Sequence, residues 1–141
     1  MSFEAERAEI LDRVHDLFID GSGNEYIPLE WPNKPRPDVT AEDIPVWGRL
    51  SIQRASATNR EIGSDKTRYY GVVFLEVYTR ENTGDVMAAK CADKMRQILQ
   101  GQTITVSGFQ ILFREASLKP AGKESGWDHQ NVEVPFRRDE L

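Results

Sequence analysis

Apolar residues recur at three- and four-residue steps from about Phe3 to Ile19. Phe3, Ile10, Leu11, Val14, Leu17 and Phe18 share one side, while Glu4, Glu6, Arg7, Glu9, Asp12 and Arg13 mostly take the other. That period predicts an amphipathic helix. Ser2 stands where an N-cap belongs, the early acids suit the positive end of the helix dipole, and Gly21 and Gly23 end the pattern. The period then changes to two. Val46, Gly48, Leu50 and Ile52 alternate with Trp47, Arg49, Ser51 and Gln53. Over Thr67 to Thr79, Tyr69, Gly71, Val73, Leu75 and Val77 face one way and Tyr70, Val72, Phe74, Glu76 and Tyr78 the other. Both stretches predict strands.

A second helix is predicted from about Asp85 to Gln100, with Thr83 as its cap and Gly101 as its stop. Ala88, Cys91, Ala92, Met95, Ile98 and Leu99 form its apolar stripe. Three short strands complete the pattern: Thr103 to Val106, Gln110 to Ala116 and Gln130 to Phe136. The Gly- and Lys-rich residues 119 to 126 predict a turn between the last two. Residues 21 to 45 hold five of the seven prolines, which disfavours helix and predicts an extended arm or an ordered loop, with Tyr26, Ile27, Leu29 and Trp31 available for docking. Residues 54 to 66 predict a polar loop longer than a hairpin needs. Runs of strands separated by single helices predict an α+β fold, two helices packed on one face of an antiparallel sheet.

Composition narrows the function. A chain of 141 residues with 39% hydrophobic and 29% charged content suits one globular domain. The net charge of -5 excludes a uniformly basic nucleic-acid binder, and the lone Cys91 excludes an internal disulfide. With no apolar run of membrane-spanning length and no signal peptide at Met-Ser-Phe-Glu-Ala-Glu-Arg, a soluble, cytosol-made protein is expected. The terminal Arg-Asp-Glu-Leu resembles a retention address that has no meaning without secretion, and reads as coincidence.

The charge is unevenly spread. Residues 1 to 45 carry 4 basic and 11 acidic side chains, whereas residues 46 to 80 carry 6 basic (Arg49, Arg54, Arg60, Lys66, Arg68 and Arg80) and 3 acidic. Such halves pair within one molecule or between neighbours in a head-to-tail ring. Phosphate-cradling, hydrolase-elbow and zinc-helix motifs are missing, so no catalytic, cofactor or metal residue is assigned. Cys91 reads as a small core hydrophobe. His15 reads as a surface or boundary histidine, and Asp128-His129 as a turn-exposed polar pair. Arg54, Arg60, Lys66 and Arg68 near Tyr69 and Tyr70 suit weak, sequence-independent contact with a nucleic-acid backbone.

Four ordered stretches resemble phage tail terminator proteins, the ring-forming proteins at the head-proximal end of long tails. They are Trp31-Pro32-Asn33-Lys34-Pro35-Arg36-Pro37 with the strand Val46 to Ile52; Arg68-x-x-Gly71 through Val77-Tyr78-Thr79; Asn82-Thr83-Gly84 leading to Ala92-Asp93 and Leu99-Gln100-Gly101-Gln102; and Gly126-Trp127 through Asn131-Val132-x-Val134-Pro135-Phe136. With the leading helix they span nearly the whole chain. The family tends to place an aromatic residue where this chain has Arg36.

The resemblance implies a mixed, mainly antiparallel sheet with packed helices, no enzymatic activity and no cofactor. It also implies a homo-oligomeric ring, usually a hexamer, capping the tail tube in the virion of a phage or prophage made in the bacterial cytoplasm. The implied partners are further copies, the tail tube protein, a head-completion or connector protein and, transiently, DNA passing through the ring. Candidate interface residues are Trp31, Asn33, Arg36, Arg54, Arg60, Lys66 and Arg68; Gly71, Gly84, Trp127 and Pro135 are read as structural. Two other readings fit the sequence: a head–tail connector, and a small cone-shaped α+β enzyme or ligand-binding domain with a closed pocket near His129.

Overall fold

The computed structural model describes residues 3–32, 34, 45–59, 67–81, 85–106, 108–124 and 126–140. The chain runs α1 (Phe3–Leu17), β1 (Leu29–Glu30), β2 (Val46–Asn59), β3 (Thr67–Arg80), α2 (Val86–Leu99), β4 (Thr103–Val106), β5 (Phe109–Phe113), β6 (Ser117–Glu124) and β7 (Trp127–Glu140). The strands form one curled sheet in the order β1-β2-β3-β7-β5-β4. β1 runs parallel to β2, and every other pairing is antiparallel. The architecture is α+β, as expected.

β7 holds the sheet together. Along one side it pairs with β3 from Arg68↔Asp139 to Arg80↔Trp127. Its other side is shared: β6 takes the first half, ending at Ser117↔Glu133, and β5 the second, beginning at Phe113↔Phe136. Pro135 sits at that junction. Its carbonyl accepts the Arg114 N–H at 2.8 Å, so its nitrogen also faces the gap between β6 and β5, where no ladder donor is needed.

One core forms between the helices and one sheet face. Ile10 and Val14 of α1 and Ala88, Cys91, Met95, Ile98 and Leu99 of α2 pack against Leu50, Val73, Leu75, Val77, Ile111, Val132 and Val134. Each large apolar side chain so buried contributes about 1.5–3 kcal/mol. At the end of α1 the Asp20 carboxylate accepts the backbone N–H groups of Ser22 and Asn24, and Gly23 takes a positive φ of 84°. The polypeptide thereby reverses, and Ile27 and Leu29 join the core.

Several elements depart from expectation. Arg54–Asn59 is no loop but the continuation of β2: Arg54 pairs with Gly71 and, after a bulge, Ala57–Asn59 pair with Thr67–Tyr69. The bulge absorbs the extra residue, and backbone pairing continues past it despite the polar sequence. Residues 117–124 form β6, so the turn expected over 119–126 shrinks to its end, where Gly126 has a φ of 86°. β5 stops at Phe113, short of Ala116, and β7 extends beyond Gln130 and Phe136 in both directions. Asp128 and His129 therefore lie inside a strand and not on a turn. On α1, Glu6 is buried at 1% exposure although it fell on the polar face, while Phe3 is 51% exposed. Thr83 lies outside the described residues, and Asp85 at the start of α2 makes no side-chain capping bond.

Candidate functional site

The N-terminal end of α1 meets the far ends of β2, β3 and β7, and here the charged residues concentrate. Core-facing positions bring Arg54, Tyr69 and Arg138 together beneath Glu6. Arg138 Nε lies 3.0 Å from Glu6 Oε2 and Arg54 Nε 3.4 Å from Oε1. The Arg138 guanidinium also lies 4.1 Å from the Tyr69 ring centre and 5.3 Å from that of Phe3. On the opposite sheet face Arg68 grips Asp139 with both arms, Nε to Oδ1 at 2.7 Å and Nη2 to Oδ2 at 3.1 Å, and Arg137 Nε lies 3.5 Å from Oδ2. That bidentate bond to Asp139 holds the Arg68 guanidinium above its ordinary value. Four arginines thus surround two buried carboxylates.

Burial pushes the Glu6 carboxyl above its ordinary value, while Arg138 and Arg54 pull the other way. Because the folded value is raised, protonation of Glu6 favours the fold. This contribution is complete below the reference value of 4.5 and disappears as pH rises through the raised value. Unfolding measured from pH 4 to 7 is expected to show the parent losing stability relative to Glu6→Gln as pH increases. A pH-independent gap between the two proteins would contradict this.

A second assembly lies on the helix-free face. Trp47, Tyr78 and His129 are direct cross-strand neighbours on β2, β3 and β7. Trp47 stacks on Tyr78 at 4.3 Å and 9°, and Tyr78 on His129 at 4.4 Å and 12°. Trp127 meets Trp47 edge-on at 6.2 Å, under the Arg80 guanidinium at 3.9 Å. Arg49 joins the ladder to polar partners: it binds Glu30, lies 3.1 Å from Glu76 Oε2, and sits beside the Tyr78 hydroxyl, which donates to Glu76 at 3.2 Å. Burial lowers the Arg49 value, but the Glu30 hydrogen bond and the neighbouring Tyr78 and Glu76 outweigh it, leaving a net rise.

Of the residues singled out from sequence, Arg54 and Arg68 come together at the cationic end, but both are engaged within the chain. Reversing Arg54 would set a carboxylate against buried Glu6, so such a variant reads folding before assembly. Trp31 lies away from them, its Nε1–H donating to Glu25 at 3.1 Å and its ring 6.0 Å from that of His15. It borders an open groove of about 330 Å³ with Arg7, Leu11, Pro32 and Lys34. Gly71 pairs with Phe136, and Trp127 belongs to the aromatic ladder. Asn33, Arg36, Arg60, Lys66 and Gly84 lie outside the described residues. Glu6, Arg138 and Asp139 went unnoticed, because an ion pair between distant segments leaves no local pattern.

Burial pushes the Cys91 thiol up to about 12, which leaves no thiolate for chemistry near neutrality. Among the described residues no group of three or more His, Cys, Asp or Glu could hold a metal ion, and no helix is long and apolar enough to cross a membrane.

Neither a family model nor a curated protein matches the chain. Among solved structures, that of an uncharacterised protein is similar over 100% of this chain and 96% of its own length, with a TM-score of 0.68 and 19% sequence identity. That likeness is one of fold.

Proposed function

We propose that this protein is a virion structural component of the tail-terminator type, a ring of identical copies that caps the head-proximal end of a phage tail tube. One observation carries the reading: three of the four stretches that resemble the family converge in space. Trp47 of the first, Tyr78 of the second and Trp127 of the fourth build one aromatic ladder, and Gly71 of the second lies against Phe136 of the fourth. Residues scattered through the sequence are thus the ones that define this sheet.

The distribution of charge fits head-to-tail association. Arg54 and Arg138 lie beneath the start of α1, and Arg68 and Arg137 flank the same end of the sheet on its opposite face. Asp12, Asp16 and Asp20 lie exposed toward and beyond the other end of α1, about 21 Å away at 1.5 Å per helical residue. Two different patches on one molecule are what a heterologous, closing contact requires. In this reading the further partners are the tail tube protein on one side of the ring and a head-completion protein on the other, with DNA passing transiently through the centre.

Negative-stain electron microscopy of the concentrated protein is expected to show rings with a central hole. Uniform single copies, with no ring on isolated tail tubes either, would overturn the proposal.

A further inference from the structure

The two ends of the sheet differ from its other edge. β6 is a guarded edge: Lys119, Pro120 and Lys123 lie along it, and its register shifts between Pro120 and Gly122. Charge, proline and a bulge are the usual means of keeping a foreign strand away. β4 has none of these. Thr103-Ile104-Thr105-Val106 pairs with β5 on one side and ends the strand order on the other. At the opposite end, β1 pairs with β2 only at Gly48 and Arg49, so the outer edge of β2 beyond Arg49 has no strand partner among the described residues, and it runs regularly from Leu50 to Arg54, where the bulge begins. Gln53 and Arg54 on that stretch, and Ala55 and Ala57 just past it, are exposed.

The surroundings of the two edges are opposite in charge. Beside β4 an open groove of about 290 Å³ has Leu17 and Ile104 as apolar lining and Glu9, Asp12 and Asp16 as carboxylates. Its one cation, Arg13, donates instead to the Ile98 carbonyl at 2.8 Å and to Gln102 at 3.2 Å. The distal part of β2 lies in the arginine-rich end described above.

We infer that β4 is the docking edge for a second copy of this chain, which adds the regular stretch of its β2 ahead of the bulge, Leu50 to Arg54, as a neighbouring strand and sets its arginine-rich end against the acidic groove. Main-chain hydrogen bonds supply the affinity of such strand addition and the charges fix partner and orientation. The inference rests on the ring proposed above and names the two surfaces that meet in it.

A chain carrying Ala55→Cys and Thr105→Cys tests this directly, since the native Cys91 is buried. Mild oxidation is expected to give a ladder of covalent oligomers beyond the dimer, absent from a control chain carrying Ala55→Cys and Lys123→Cys, whose second thiol lies on the guarded β6 edge. Adding Asp12→Lys and Asp16→Lys, both at exposed positions, is expected to slow ladder formation about tenfold. Rings in the microscope without a ladder would overturn this docking mode and leave the ring reading intact. A ladder whose rate ignores the two acid reversals would overturn the charge-matched docking. No rings, either free or on isolated tail tubes, together with no ladder would overturn both.

Discussion

Replacing Gly71 with alanine is expected to cost about 3 kcal/mol of folding stability, the upper part of the range for overpacking a core. A Cβ at this position would stand 2.5 Å from Phe136 Cζ, 2.8 Å from Cε1 and 3.0 Å from the Gln53 carbonyl oxygen. The ring has little room to yield, since Phe136 is 2% exposed and also packs against Phe113 at 6.0 Å. The carbonyl belongs to the paired strand β2 and is equally fixed. Glycine is needed here for close approach, not for an unusual backbone angle. Urea unfolding of Gly71→Ala, Phe136→Leu and the double variant checks the cause. The double variant should lose less than the sum of the single losses, because the smaller side chain makes space for the methyl group. A Gly71→Ala protein within about 0.5 kcal/mol of the parent, the range of an ordinary surface change, would show that the sheet adjusts freely.

Arg138→Met is expected to cost about 3–5 kcal/mol, the loss typical of removing one member of a buried ion pair. Glu6 and Arg138 are 1% and 2% exposed, so the methionine variant leaves a carboxylate out of water with Arg54 as its remaining cation. The aliphatic replacement preserves most of the packing on Tyr69, which makes charge the main variable. Adding Glu6→Gln should recover a large part of the loss, because the stranded charge is then gone. If thermal unfolding ranks the double variant below Arg138→Met, the pair is not what holds this end of the fold.

Much of the architecture could be read from residue periodicity. Ile10 and Val14 on α1, Cys91 and Met95 on α2, and Val73, Leu75 and Val77 on β3 occupy the core faces their spacing predicts. The α+β class follows from those elements. What escaped was set by distant partners. β6 contains Pro120, Gly122 and two lysines and buries no described side chain, so pairing with β7 alone makes it a strand. Glu6 has the local pattern of a surface acid, and only the fold brings Arg138 onto it. His129 looked like a turn residue because its stacking on Tyr78 depends on a register that no single segment contains. At the candidate site, Arg54 and Arg68 were visible as cations; the carboxylates that engage them were not.

The place of β7 in the sheet has a kinetic consequence. It follows every other element in chain order, yet it is the strand to which β3, β5 and β6 attach. Until it emerges from the ribosome, β3 presents a long unsatisfied flank and the apolar faces of both helices have only part of their counterpart. Contacts between segments so far apart must overcome a large loop-closure entropy before they stabilise anything, which slows folding. Nascent chains are therefore vulnerable to aggregation through that flank until β7 has emerged, and chaperone capture would act during this interval.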